Sequence, residues 1–225
     1  MVDLLLSQWQ PYRELTRPPL STIRLWSEGG RGVWIDNEWG PAVGYGAVPH
    51  EDGAQNYGYV RIKGNSEAAR QIPEAVNWPE LATFLAIINE ANSPIESVGC
   101  DKAFAPLDME GGLKVKLGSY VDVMFTDAAL NDSPQNALKL ASRLLKAVEG
   151  CERWGSNVST VLQRFRFVPE TVAPWGLMLD VSGYGRDEDE ARKSWGVTLD
   201  RLGEPIKNLP PDFRWQKVPD SEAAA

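Results

Sequence analysis

The order in which strand-like and helix-like segments follow one another constrains this chain most. Segments that alternate apolar and polar residues come mainly in pairs, and an amphipathic segment with helix-start signals follows each group. Parallel strands need a crossover between each two, whereas antiparallel hairpins place paired strands next to each other in the chain. The order therefore predicts an α+β fold, a mainly antiparallel sheet with about three helices packed on it.

Three helix starts are predicted from capping residues. Asn77–Glu80, Asp132–Gln135 and Asp187–Glu190 each place a capping side chain three residues before Glu or Gln. Apolar residues with helical spacing follow each of them. Gly203 and Pro205 predict the end of the third helix, because these residues commonly follow a helix.

The strand pattern suggests a specific core. Residues Tyr57–Phe167 read β-α-β-β-α-β, with Tyr57–Lys63 as the first strand, which predicts a ferredoxin-like core. An N-terminal hairpin and a C-terminal β-α extension would flank it, and Gly118 is expected to form a bulge. No sequence repeat is evident. Residues 1–210 are predicted to form a single domain, and residues 211–225 a frayed tail.

Hydropathy and cysteine content bear on the compartment. No stretch approaches the roughly 18 apolar residues of a membrane span. The third residue is the acidic Asp3, in a region where a signal peptide carries a cation. We therefore expect a cytoplasmic protein without membrane contact, in which Cys100 and Cys151 are buried thiols rather than a disulfide.

Catalytic motifs are missing from the sequence. The chain has one histidine, His50, in an acidic, turn-rich segment, so a multi-histidine metal site is excluded and any triad would depend on that residue. Neither Gly44-Tyr45-Gly46 nor Gly183-Tyr184-Gly185 completes a phosphate-binding glycine motif. The sequence predicts no catalytic residue, no metal site and no cofactor, and it favours a protein that is not an enzyme.

The sequence leaves open two functions as alternatives to protein binding, an enzyme that uses aspartates and a small-ligand-binding domain. A metal-dependent phosphoryl-transfer or hydrolytic enzyme could use Asp122, Asp127 and Asp180, which lie on or near strand ends. A small-ligand pocket lined by Trp and Tyr is the other. Nucleic-acid binding is disfavoured, because the net charge of −8 repels phosphate.

The composition favours protein binding instead. Five of the nine tryptophans lie in the first 78 residues, residues 1–112 carry most of the net negative charge, and aromatic and acidic residues are interleaved between Trp26 and Trp39. Tryptophan is frequent in interface hot spots, and an acidic field attracts a basic protein. We therefore expect a non-catalytic protein of the inhibitor, immunity-protein or adaptor type that masks a basic protein partner. The predicted partner-binding residues are Trp26, Glu28, Trp34, Asp36, Glu38 and Trp39.

Overall fold

The computed structural model describes residues 23–26, 32–35, 43–45, 59–107, 112–167 and 174–209. The first three segments are strands that pair within the sheet, and the structure describes their backbone only. No helix within these ranges is long and apolar enough to cross a membrane.

The described strands are β1 (Ile23–Trp26), β2 (Gly32–Ile35), β3 (Val43–Tyr45), β4 (Ile95–Pro106), β5 (Val115–Phe125), β6 (Ser156–Phe167) and β7 (Trp175–Gly185). They form one sheet in the order β1-β2-β6-β7-β5-β4, with β3 also beside β6. The four long strands pair with one another in antiparallel fashion, β4 with β5, β5 with β7 and β7 with β6. Strands β2 and β3 each run parallel to β6.

Three α-helices pack on one face of this sheet: α1 (Pro79–Ile88), α2 (Pro134–Ala147) and α3 (Glu188–Lys207). Helix α3 lies over β7 and β5, between α1 and α2. Alternate residues of β5 and β7, among them Val121 and Leu179, join the helices in one buried core. The predicted α+β fold, an antiparallel sheet with three helices packed on it, is thereby confirmed.

The element order repeats, although the sequence shows no repeat. Helix α1 with β4 and β5 is followed by α2 with β6 and β7. Strand β5 spans 115–125 and β7 spans 175–185, so the second unit lies sixty residues after the first. The two units meet where β5 pairs with β7, and α3 covers the junction.

The ferredoxin-like core is not confirmed. It needs Tyr57–Lys63 as its first strand, and the described residues 59–63 are not a strand. Their side chains bind β4 instead, because Arg61 pairs with Glu96 and Lys63 donates to backbone carbonyls near the start of β4. The bulge predicted at Gly118 is also wrong. Strand β5 keeps one register with β7, and the irregularity lies in β4 between Ser97 and Gly99.

The predicted start of α1 and the predicted end of α3 differ from the structure. Asn77 does not cap α1; it has a left-handed backbone (φ 65°), and Trp78 occupies the cap position. Helix α3 does not end at Gly203 and Pro205 but continues to Lys207. Burial explains the continuation, because Ile206 beyond the proline is 1% exposed in the core.

The other two helix starts carry side-chain caps. Ser133, rather than the predicted Asp132, caps α2 by accepting a hydrogen bond from the amide of Gln135. Asp187 caps α3 as predicted, accepting from the amide of Glu190. Both caps satisfy amides that the first turn of a helix leaves without a partner.

Candidate functional site

Acidic residues gather on the sheet face opposite the helices. In a strand, successive side chains point to opposite faces, so the residues between the core positions of β5 face away from the helices. The position of Tyr120 is paired with Asp101 of β4 on one side and with Asp180 of β7 on the other. Asp122 is two residues further along β5 and shares their face. We call the side of the sheet that carries Asp101, Tyr120, Asp122 and Asp180 the acidic face.

Tyr120 is the exposed aromatic residue of the acidic face. Its side chain is 39% exposed, whereas the carboxyl-bearing Asp122 beside it is 2% exposed. Gln163 of β6 donates a hydrogen bond to Asp122 Oδ1 (3.0 Å). Burial raises the pKa of the Tyr120 hydroxyl, and the nearby carboxylates of Asp122 and Asp101 raise it further. The tyrosine therefore stays neutral, with a hydroxyl that can donate.

The carboxyl group of Asp180 lies where burial disfavours its charged form. Burial raises the pKa of its carboxyl above the ordinary value, more than Lys116 and a weak hydrogen bond from Ser182 lower it. A carboxylate with a raised pKa reduces stability at neutral pH. Residues that reduce stability in this way are typical of functional sites.

Replacing Asp180 by Asn is therefore expected to stabilise the protein at pH 7. The folded state of the native protein binds the Asp180 proton more tightly than the unfolded state does. The free energy of unfolding therefore decreases as the pH rises from the pKa of Asp180 in the unfolded state to its higher pKa in the folded state. Above both pKa values this decrease in stability is complete. The gain from Asp180→Asn should be present at pH 7 and absent at pH 3, measured by urea unfolding. Asp200→Asn, on an exposed position of α3, is the control, and a less stable Asp180→Asn protein at pH 7 would contradict the account.

At one end of this sheet face, basic side chains are already paired. Glu96 is 2% exposed and accepts hydrogen bonds from Arg61 Nε (2.8 Å) and the Tyr59 hydroxyl (3.2 Å). Arg164, on the helix side, lies over the Trp175 ring at 4.5 Å. These aromatic–basic groups, which could have bound nucleic acid, are engaged within the protein in the described part of the chain.

The predicted partner-binding residues fall mainly outside the described residues. Glu28, Asp36, Glu38 and Trp39 lie outside them. Trp26 and Trp34 belong to β1 and β2, where the backbone register is described. A continuous row of paired positions crosses the sheet from the backbone of Trp34 to the acidic face, through Val161, Met178, Asp122 and Gly99.

The tryptophans whose side chains are described contribute to the core. Trp195 is 0% and Trp175 is 6% exposed. Trp78 is half-buried, meets Trp195 edge-on at 5.8 Å, and has the Arg192 guanidinium over its ring at 4.6 Å. Cys151 is buried as predicted, and Cys100 is half-buried, with its thiol pKa raised to about 12 by burial. A thiol of this kind is a poor nucleophile.

The three aspartates proposed for a metal site do not come together. Asp122 and Asp180 share the acidic face, but Asp127 follows β5 and accepts a hydrogen bond from the amide of Ala129. Within the described ranges, no group of three His, Cys, Asp or Glu side chains could hold a metal ion. Asp127 instead begins the short 3-10 helix Ala128–Asp132.

Comparison with models of protein families, with curated proteins and with solved structures found no match to this chain.

Proposed function

We propose that this chain is a non-catalytic protein-binding protein, of the inhibitor, immunity-protein or adaptor type, that masks a basic partner through its acidic face. The observation that carries the proposal is the exposed Tyr120 among the carboxyl groups of Asp101, Asp122 and Asp180. The exposed Tyr120 ring can receive an arginine or lysine of a partner by cation–π contact, and the exposed carboxylate of Asp101 can accept a hydrogen bond from it. The net charge of −8 adds long-range attraction for a basic protein.

The electrostatics of the acidic face support this role. Asp180 is kept at a position where burial opposes its charge. A cationic group of a partner would stabilise the charged form of the Asp180 carboxylate. This stabilisation would add to the affinity for the partner. Asp122 already has a hydrogen-bonding neighbour in Gln163, which keeps it oriented. These features favour a cation over a phosphate as the bound group.

The N-terminal residues predicted from the sequence remain part of this proposal. Trp34 of β2 is linked to Asp122 by the row of paired positions across β6 and β7. Paired positions of neighbouring strands belong to the same face of a sheet. We propose that Trp26, Glu28, Trp34, Asp36, Glu38 and Trp39 also contact the partner.

The test uses an arginine-rich decapeptide as a defined basic probe, with a glutamate-rich decapeptide as the negative probe. Calorimetry at low salt should show binding of the basic peptide alone. Tyr120→Ala is expected to weaken this binding about 30-fold, the effect of removing an interface hot spot. Val197→Ala, at a position of α3 that is 40% exposed, is the matched control and should bind as the native protein does. Equal affinity of the native and Tyr120→Ala proteins would refute the proposed surface.

A further inference from the structure

Strand β4 is the outer edge of the sheet, because β5 is its strand neighbour among the described strands. Backbone hydrogen bonds at its two ends show which residues face β5: Thr126 donates to Pro94, and Leu107 donates to Lys114. In an antiparallel pair every second residue bonds to the partner, and the others point outward. Allowing for the bulge, the outward positions are Ile95, Ser97, Cys100, Lys102, Phe104 and Pro106.

Side chains occupy the first part of this edge. Ser93 Oγ accepts from the amide of Ile95 (3.3 Å), and Asn89 Oδ1 accepts from the amide of Ser97 (3.2 Å). Lys63 Nζ donates to the carbonyl of Ile95 (2.7 Å). The outward amides of Ile95 and Ser97 and the carbonyl of Ile95 are therefore engaged with groups of the chain itself.

The second part of the edge is interrupted as well. Asp101 Oδ1 accepts a short hydrogen bond from the amide of Lys102 (2.7 Å). Pro106 has no amide hydrogen to donate. At most Cys100 and Phe104 can donate to an incoming strand here, and the engaged amide of Lys102 lies between them.

We infer that the β4 edge is closed to strand addition by these side chains. An exposed edge strand is a template for pairing with another chain, and natural proteins block such edges with prolines, charges and bulges. Strand β4 has all three, with Pro106, Asp101 and the bulge after Ser97. This chain therefore associates through surfaces other than the β4 edge, whatever its partner is.

Opening the edge tests the inference. The double variant Asp101→Ala/Pro106→Val frees the amide of Lys102 and restores a donor at position 106, so four successive outward positions can donate. Both residues are exposed, so the fold should be retained. Sedimentation velocity over a wide concentration range should show the double variant forming dimers that the native protein does not form. Asp200→Ala, which removes one exposed charge on α3, is the control and should sediment like the native protein.

Hydrogen exchange locates the contact. Amides of residues 100–106 in the double variant should become more protected as the concentration rises, whereas those of the native protein should not change. Asp101→Ser/Pro106→Thr, which opens the same positions with polar residues, should behave in the same way. The inference is overturned if both double variants stay monomeric with unchanged exchange at residues 100–106, or if the native protein already gains protection there.

Discussion

Replacing Gly183 by Ala is expected to destabilise the protein by about 3 kcal/mol or more. A Cβ atom at this position of β7 would lie 2.3 Å from the carbonyl oxygen of Ala191 and 2.5 Å from the amide nitrogen of Trp195. Both atoms belong to the backbone of α3, so the whole helix would have to move away from the sheet. Helix α3 buries Leu199 and Leu202 in the core, and lifting it would expose them.

Gly118→Ala is the matched control, because Gly118 lies on β5 in the same sheet. A Cβ there would meet Lys116 Cε at 3.2 Å, the far part of a flexible side chain that can shift. We expect a change within about 1 kcal/mol, the usual scale of a Gly-to-Ala replacement. Urea unfolding followed by circular dichroism measures both variants, and similar free energies of unfolding for the two would contradict the packing described for α3.

The same contact explains an incomplete sequence motif. Gly183-Tyr184-Gly185 resembles part of a phosphate-binding loop, and it does precede a helix. Its first glycine is required by the close approach of α3. The capping Asp187 accepts from the amide of Glu190, and Glu190 accepts from the amide of Arg186 (2.7 Å). Two amides at the start of α3, those of Arg186 and Glu190, are therefore already bonded to carboxylates of the chain.

Trp195→Ala is expected to cost about 3–5 kcal/mol, the range for removing a buried large aromatic side chain. The Trp195 indole is 0% exposed, and its Nε1 donates to Ser119 Oγ at 2.7 Å. Ser119 in turn donates to the carbonyl of Val181 (3.3 Å), so the buried polar atoms form a chain from α3 to β7.

Trp195→Phe separates the hydrogen bond from the packing. It keeps most of the ring but removes the N–H donor, and we expect a loss of about 1–3 kcal/mol. Circular dichroism is the suitable probe for both variants, because each substitution removes the Trp195 fluorophore and would change the fluorescence signal itself. A Trp195→Ala protein within 1 kcal/mol of the native stability would show that the indole does not support the core.

Much of the fold could be predicted from local sequence. The alternation in β5 and β7 and the cap at Asp187 are set by residues close together in the chain, and they were confirmed. The strand predicted at Tyr57–Lys63 failed because alternation there reflects side chains that bind Glu96 rather than a place in the sheet. Local pattern also missed that α3 continues past Pro205, since the packing of Ile206 is a tertiary effect.

The candidate site was less predictable. The sequence identifies Asp122 and Asp180 as acidic residues near strand ends. It groups them with Asp127 as candidate metal ligands, whereas the structure separates Asp127 from the other two. In the sequence, Tyr120 only alternates with the apolar residues of β5, a pattern that gives it no functional role. Its significance depends on the pairing of Asp101, Tyr120 and Asp180, which come from three different strands. Such pairing follows from register between distant segments, which no local pattern encodes.

Residue-level mapping by NMR shows whether a basic partner binds at the acidic face. The ¹⁵N–¹H NMR spectrum would be recorded while the arginine-rich decapeptide is added at low salt. The account predicts shifts concentrated at the amides of Tyr120, Asp122, Met178 and Asp180, fading as salt is raised. Shifts confined to the acid-rich first turn of α3, at Glu188 and Asp189, would contradict it.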